Sequence, residues 1–256
     1  SRALLSELSS RGIAVVFAGQ NYEPEGILVP AKGQPHAIGS LIDQKAATNA
    51  FNARLWQKVV QAKIRNQSLV LGQRPSAKSA CRRLAAVASR VQPGDPDNRE
   101  ASAARTYFLA LFGSDFARND PTNGVNAHLN YGYSIVRASC ARTIAAVGLS
   151  PALGIHHSSR RNPLSFADDI MEIFRPMVDW TVYSYLASNP DPAPELDVTA
   201  KHRLAGILGF PTYQDLAQRP LANAIKHVAL DFAKAFQSKK HEISFPIPVF
   251  QGSGVG

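Results

Sequence analysis

The sequence predicts a mainly α fold, a helical domain preceded by the remnant of a small β-containing N-terminal unit. Three observations carry this. From about Leu41 onward apolar residues recur at three- and four-residue spacing through most of the chain. Only near the start, in IAVVFAG and GILVP, does the pattern become short, continuously apolar and rich in β-branched residues. With 256 residues and 45% hydrophobic content, the chain can bury one substantial core and at most a small satellite. The expected boundaries are 1–32 for the β remnant, 33–40 for a linker of Gly, Pro and Ala, 41–248 for the helical domain and 249–256 for a flexible tail.

Residues 2–9, RALLSELS, have the pattern of a short amphipathic helix, and the segment 13–19 that follows is expected to be a buried strand. GILVP at 26–30 is a second extended piece. Two strands leave sheet edges uncovered, so this unit is expected to continue upstream. The chain starts at Ser1 and its only methionines are Met171 and Met177, so it reads as processed, trimmed or a fragment.

In the helical part, 50–72 carries Phe51, Leu55, Val59, Ala62 and Ile64 on one side, with Arg54, Lys58, Lys63 and Arg65 around the other. A second helix is expected at 76–91 with Lys78, Arg82, Arg83 and Arg90. For these cations a solvated face and contact with DNA are both open readings. Asp97 is placed to cap the next helix, with Glu100 three residues on as a capping-box acid and Gly113 as its stop. A long helix at 125–147 buries Leu129, Tyr133, Val136, Cys140 and Ile144 and stops at Gly148. Another at 166–186 buries Phe166, Ile170, Phe174, Val178 and Val182, starts in a Ser165/Asp168 capping box and is kinked by Pro176. NPDPAPELD, 189–197, is a proline-rich loop, and helices near 199–208 and 221–238 precede an extended, then glycine-rich, mobile end.

Chemistry concentrates in Gly154 to Asp179, where two histidines, four acids and three arginines fall in twenty-six residues. Asp168, Glu172, Arg175 and Asp179 share a helix face, and a loop of Ser, Arg, Asn and Pro can fold His156 and His157 back toward it. Such a set can hold a divalent cation. It can equally be an acidic helix start favoured by the macrodipole, and the spacing leaves both open.

The net charge of +9 and pI near 9.8 point to a polyanionic partner, nucleic acid or an anionic membrane surface. No apolar run is long enough for a bilayer and no secretory signal is visible. Cys81 and Cys140 form neither a metal spacing nor a disulfide framework, which suits a reducing compartment.

Taken together, NREASAARTYF, LNYGYSIV, GLSPALGIHH and DDIMEIFRPMVD resemble the CRISPR adaptation integrase, the Cas-one family in its type II form, in order and separation. The resemblance implies that residues from about 41 form an all-helical catalytic domain. It also implies that most of the family's N-terminal β-domain, which builds the homodimer and part of the DNA platform, is not in this sequence. Ile173 stands where type II relatives usually have Pro.

Carried onto this chain, the family's ligands for Mg²⁺ or Mn²⁺ are Glu100, His157 and Glu172, with Asp169 as a second choice. Which of His156 and His157 aligns is open. The implied reaction joins the 3′-hydroxyl ends of short DNA duplexes to a repeat array by transesterification. Arg105, Arg160, Arg161 and Arg175 are the candidates for phosphate contact, Arg175 equally for an ion pair with Glu172 or Asp179. The resemblance further implies double-stranded DNA, a homodimer, the small bridging Cas-two protein, the type II effector nuclease and a ring-shaped accessory protein as partners, in a bacterial cytoplasm. Two other functions fit the residues: a non-catalytic basic helical DNA-binding or assembly subunit, and a metal-dependent hydrolase of a small phosphoester.

Overall fold

The computed structural model describes residues 1–20, 22–31, 37–187, 192–193 and 195–250. It opens with helix α1 (Arg2–Ser10) and an antiparallel hairpin of β1 (Val15–Ala18) and β2 (Pro24–Leu28), with Val15 opposite Leu28 and Val16 opposite Ile27. The strand expected to be buried is only half covered. Ala14 is buried and Val15 and Val16 are half-buried, but Phe17 is 46% exposed and Ala18 beside it, on the opposite face, is exposed too, so cover is lost toward the end of the strand. Helix α2 (Ala37–Lys45) begins inside the expected linker, so residues 37–40 are its first turn; 32–36 lie outside the described residues.

The spine is α3 (Asn49–Gly72), whose Thr48 hydroxyl accepts from the Phe51 N–H as an N-cap. Phe51, Leu55, Val59, Ala62 and Ile64 are buried as expected, and so are Trp56, Val60, Val70 and Leu71, so the helix is covered over most of its circumference, with Arg54 and Arg65 left exposed. Each fully buried leucine or aromatic ring contributes about 1.5–3 kcal/mol relative to exposure. Against α3 pack α4 (Lys78–Ala88), which is shorter than expected and entered by a 3-10 turn at Pro75–Ala77, α5 (Arg99–Phe112), α7 (Ser165–Met171) and α8 (Arg175–Leu186). Helix α6 (Gly124–Ala146) supports α7 and α8 from the other side, α9 (Val198–Ala205) joins it, and α10 (Leu221–Ser238) closes the core with Phe232 and Phe236 against Phe166. No helix among the described residues is long and apolar enough to cross a membrane.

Four local expectations are corrected. The helix expected at 166–186 is two helices, because Pro176 has no N–H to offer the Glu172 carbonyl and its ring crowds that turn. The chain therefore gives up α-helical hydrogen bonding at Glu172–Phe174, upstream of the proline, where Ile173 and Phe174 donate three residues back instead. Ser165 does not cap α7: its hydroxyl donates to the Asn162 carbonyl, while Asp168 is held by Arg137 and Asn162. Asp97 does not cap α5 either. The Asp95 carboxylate accepts from the N–H groups of Arg99 and Glu100 at 2.9 Å each, which leaves the Glu100 side chain without a capping role.

The fourth correction is a second small sheet in the part read as almost wholly helical, though its last strand falls in the ending expected to be extended. Strands β3 (Pro211–Gln214) and β4 (Ala217–Pro220) form a hairpin, and β5 (Ile247–Pro248) pairs with β3. Its turn residues Asp215 and Leu216 both have positive φ, as a two-residue hairpin turn demands. Phe250, assigned to the flexible tail, is buried against Trp180; 251–256 lie outside the described residues, as do 189–191 and 194 of the proline-rich loop.

A buried polar contact joins α6 to α8, where the Tyr133 hydroxyl donates to the Asp179 carboxylate. Burial pushes Asp179 up from 3.8 to about 6, against the pull of the Tyr133 bond. The folded state thus binds a proton here more tightly than the unfolded chain, so this group's contribution is fully present below pH 3.8 and is lost as pH rises through about 6. The stability of the wild-type protein relative to Asp179→Asn should fall between those limits by up to about 3 kcal/mol. Paired urea titrations across pH 4–7 check this, and a constant difference would refute it.

Candidate active site

Three segments far apart in sequence converge beside α3. Lys63, from the middle of that helix, points its ammonium at Glu100 in the first turn of α5 and at Glu172 where α7 ends, with Nζ–O distances of 2.5 Å to each. The two carboxylate oxygens are therefore no more than 5.0 Å apart. Arg175 places Nε 2.8 Å from the other Glu172 oxygen and lies over the Tyr133 ring at 4.5 Å. Lys63 and Glu172 are both buried. Burial works against the Lys63 charge, but Glu172 and Glu100 outweigh it and its pKa is raised. Burial likewise opposes ionisation of Glu172, and Lys63 and Arg175 outweigh it, holding Glu172 below the usual carboxylate range. Lys63, Glu172 and Arg175 are all charged at neutral pH.

A second cluster positions His157. Asp169, on α7, has a fully buried carboxylate that accepts from the N–H groups of Ile155 at 2.6 Å and of His156 and His157 at 3.1 Å each. It also meets the His157 ring at Nδ1, 2.6 Å away. Fixing the proton on Nδ1 leaves Nε2 with its lone pair. The hydrogen bond to Asp169 raises the His157 pKa, with Glu172 contributing from further off. The loop can turn this tightly only because residue 154 is glycine: a Cβ there would stand 2.2 Å from the His157 carbonyl oxygen and 2.9 Å from Asp169 Oδ2. From α2, Gln44 fastens the start of the same loop, donating to the Ser150 and Leu153 carbonyls and accepting from the Ser150 N–H. His156 stacks flat on Trp56, with ring centroids 4.2 Å apart.

His157, Glu172 and Arg175 line one open cleft of about 860 Å³ with Tyr133, Arg118 and Asn130. Glu100 reaches the cluster through Lys63. Among the described residues no three His, Cys, Asp or Glu side chains stand close enough to hold one metal ion as they are. The donor chemistry nevertheless fits a hard divalent cation: two carboxylates already face a cation, the Lys63 ammonium, and the His157 imidazole lines the same cleft as Glu172.

Of the residues singled out from sequence, Glu100 and Glu172 meet, and His157 shares the cleft with Glu172. Asp169 differs from a direct ligand, since both of its oxygens are engaged in holding the His157 loop. Arg105, Arg160 and Arg161 have exposed side chains, and Arg175 is in the ion pair with Glu172. The reading missed Lys63, which it placed on a charged, outward face. Its neighbours carried the signal: Val59, Val60, Ala62 and Ile64 leave α3 no broad polar side at that turn.

Residues 1–192 match the family model described as CRISPR associated protein Cas1. Over 179 residues the chain is 41% identical to the CRISPR-associated endonuclease Cas1 of Neisseria meningitidis serogroup C (strain 8013), a match covering 70% of this chain and 58% of that protein. Over 249 residues it is 33% identical to the CRISPR-associated endonuclease Cas1 2 of Pyrobaculum aerophilum, covering 92% of this chain and 82% of that one. The chain thus spans less than two thirds of the length of the Neisseria relative. Among solved structures it is similar to a casposase bound to integration product, with a TM-score of 0.74, 20% identity and coverage of 95% of this chain and 77% of that chain. A partial Cas6-RT-Cas1–Cas2 complex gives a TM-score of 0.71 at 18% identity, covering 94% and 82% respectively. At such identities the likeness is one of fold.

The tight turn at Gly154 makes a direct prediction. Gly154→Ala must push apart the His157 carbonyl and Asp169, at a cost of about 1–3 kcal/mol. Thermal melts should show the loss, and the His157 imidazole resonance should shift in NMR spectra. An unchanged melt would mean that the cradle yields freely.

Proposed function

The chain belongs to the CRISPR-associated protein Cas1 family, and from that premise we propose that it joins the 3′-hydroxyl ends of short DNA duplexes into a repeat array. The observation that carries this reading is that Lys63 holds Glu100 and Glu172 within 5.0 Å of each other while His157 lines the same open cleft as Glu172, in a chain of net charge +9. In strand transfer the 3′-hydroxyl gives up its proton as its oxygen bonds to phosphorus, the bond from phosphorus to the target strand's 3′-oxygen breaks, and that oxygen takes up a proton. One phosphodiester replaces another, so the protein's task is alignment and neutralisation of charge on the phosphate oxygens.

Glu100, His157 and Glu172 are the residues that would hold Mg²⁺ or Mn²⁺. When bound, the ion supplies Lewis acidity and a lower pKa for the attacking hydroxyl. Asp169 orients His157 so that Nε2 faces the cleft. Arg175 keeps Glu172 ionised and presents the rest of its guanidinium to the cleft. Arg105, Arg160 and Arg161, exposed around the site, hold the DNA backbone. The double-stranded DNA substrate, the homodimer and the small Cas-two protein are the partners of this reading. Cas1–Cas2 complexes among the structures of like fold support the last of these. The type II effector nuclease and its ring-shaped accessory protein follow only if the type II assignment holds.

A second reading, a DNA-binding or assembly subunit without catalysis, is favoured by the same ion pairs, because Lys63 already satisfies both glutamates. Joining of a labelled duplex to a repeat-containing plasmid separates the two. Under the integrase reading Glu172→Gln should lose about 100-fold or more in joining while duplex binding is kept. Equal joining by both proteins would remove Glu172 from catalysis, and no joining by either favours the second reading.

The arginine assignment is read from salt. With a log–log salt slope of about −0.9 per phosphate contact, replacing both Arg160 and Arg161 by alanine should flatten the slope of duplex binding by about two units. An unaltered slope would take these two side chains off the DNA path.

A further inference from the structure

The ammonium of Lys63 stands where a cation between Glu100 and Glu172 would stand, and it is buried there. Lys63 and Arg175 supply two positive charges and Glu100 and Glu172 two negative ones, so the cluster as folded is neutral. A divalent ion added to a neutral, largely dehydrated cluster leaves two uncompensated positive charges, which is costly. Two events relieve it: withdrawal of the Lys63 ammonium from between the carboxylates toward water, and arrival of an anion in the adjoining cleft, which a phosphodiester supplies.

We propose that Lys63 is a built-in placeholder cation that holds Glu100 and Glu172 together in the free protein and must release at least one of them for a divalent ion to bind, so that metal and DNA bind as a coupled pair. This rests on the metal reading of the site given above. The coupling is reciprocal: whatever factor DNA adds to metal affinity, the metal adds to DNA affinity.

Mn²⁺ binding to the full chain, followed by the electron paramagnetic resonance of the free ion with and without a short DNA duplex, tests this. In the wild-type protein the duplex should tighten Mn²⁺ binding by about 10-fold or more, within the usual range of site–site coupling. Without duplex, Lys63→Met and Lys63→Gln should bind Mn²⁺ at least about 10-fold more tightly than wild type and gain less from the duplex, whereas Lys63→Arg should stay near wild type. A purely structural lysine would not raise metal affinity when removed. If wild type binds Mn²⁺ but the neutral variants bind it equally or less well, the placeholder role is overturned while the metal reading stands. A wild-type affinity indifferent to duplex overturns it too, and needs no variant to fold. If wild type binds no Mn²⁺ under either condition, the metal reading falls and this inference falls with it.

Discussion

The structure turns on one buried ion cluster in which a lysine from the middle of α3 joins a glutamate from α5 to a glutamate at the end of α7. Taking such charges out of water is expensive, and a well-packed apolar set of the same volume is often as stable or more so. Their energetic merit is therefore not what the cluster explains. What it does explain is position: any shift of α5 or α7 along α3 would leave an unpaired buried charge, at a cost of about 3–5 kcal/mol. Three helices that hydrophobic contact alone would allow to slide are held at one register, and α7, so fixed, brings Asp168, Met171 and Glu172 to the cleft.

Local sequence choices around the cluster serve the same end. Pro176 ends α7 at Glu172, so the glutamate sits at a helix terminus with its carboxylate turned to α3. Asp95 takes over the N-terminal amides of α5, which frees Glu100 for Lys63. Asp169, one turn before Glu172, gathers the amides of Ile155, His156 and His157 and sets the imidazole, while Gly154 gives the loop room to wrap that carboxylate. Two neighbouring acids on one short helix thus have opposite duties. One is locked away as a scaffold, and the other stays at the edge of open space.

This division shows why the sequence was legible in part. The long helices could be read because their apolar stripes repeat: α10 was expected at 221–238 and is found there, and α3 begins one residue before the expected start. Glu172 and His157 stand out in the chemically dense stretch 154–179, whereas Glu100 reads locally as a helix-capping acid and is proposed only through the resemblance carried by NREASAARTYF. Lys63 could not be assigned, since a lysine among basic neighbours has the same spacing whether it faces water or a carboxylate pair. Only the packing of α5 and α7 on that face decides it. The hairpin at 211–220 was missed for a different reason. Four-residue strands contain too few alternations to set against a helical period, and Asp-Leu is not a turn dipeptide that announces itself.

Arg175 shows how one side chain can satisfy two readings that sequence left level. Its Nε faces Glu172, its plane lies over Tyr133, and Tyr133 in turn donates to Asp179, so α6 and α8 together fix the guanidinium's orientation. A planar fork held by one edge still presents its other nitrogens, and Arg175 lines the cleft with 30% of its side chain exposed. A lysine there could neutralise Glu172 but would have no second edge to offer. The ion pair and the phosphate contact are therefore compatible uses of one group, with the first fixing the orientation that the second requires. A related arrangement holds two neighbours: Glu172 is held by Lys63 and His157 by Asp169, and neither partner lines the cleft.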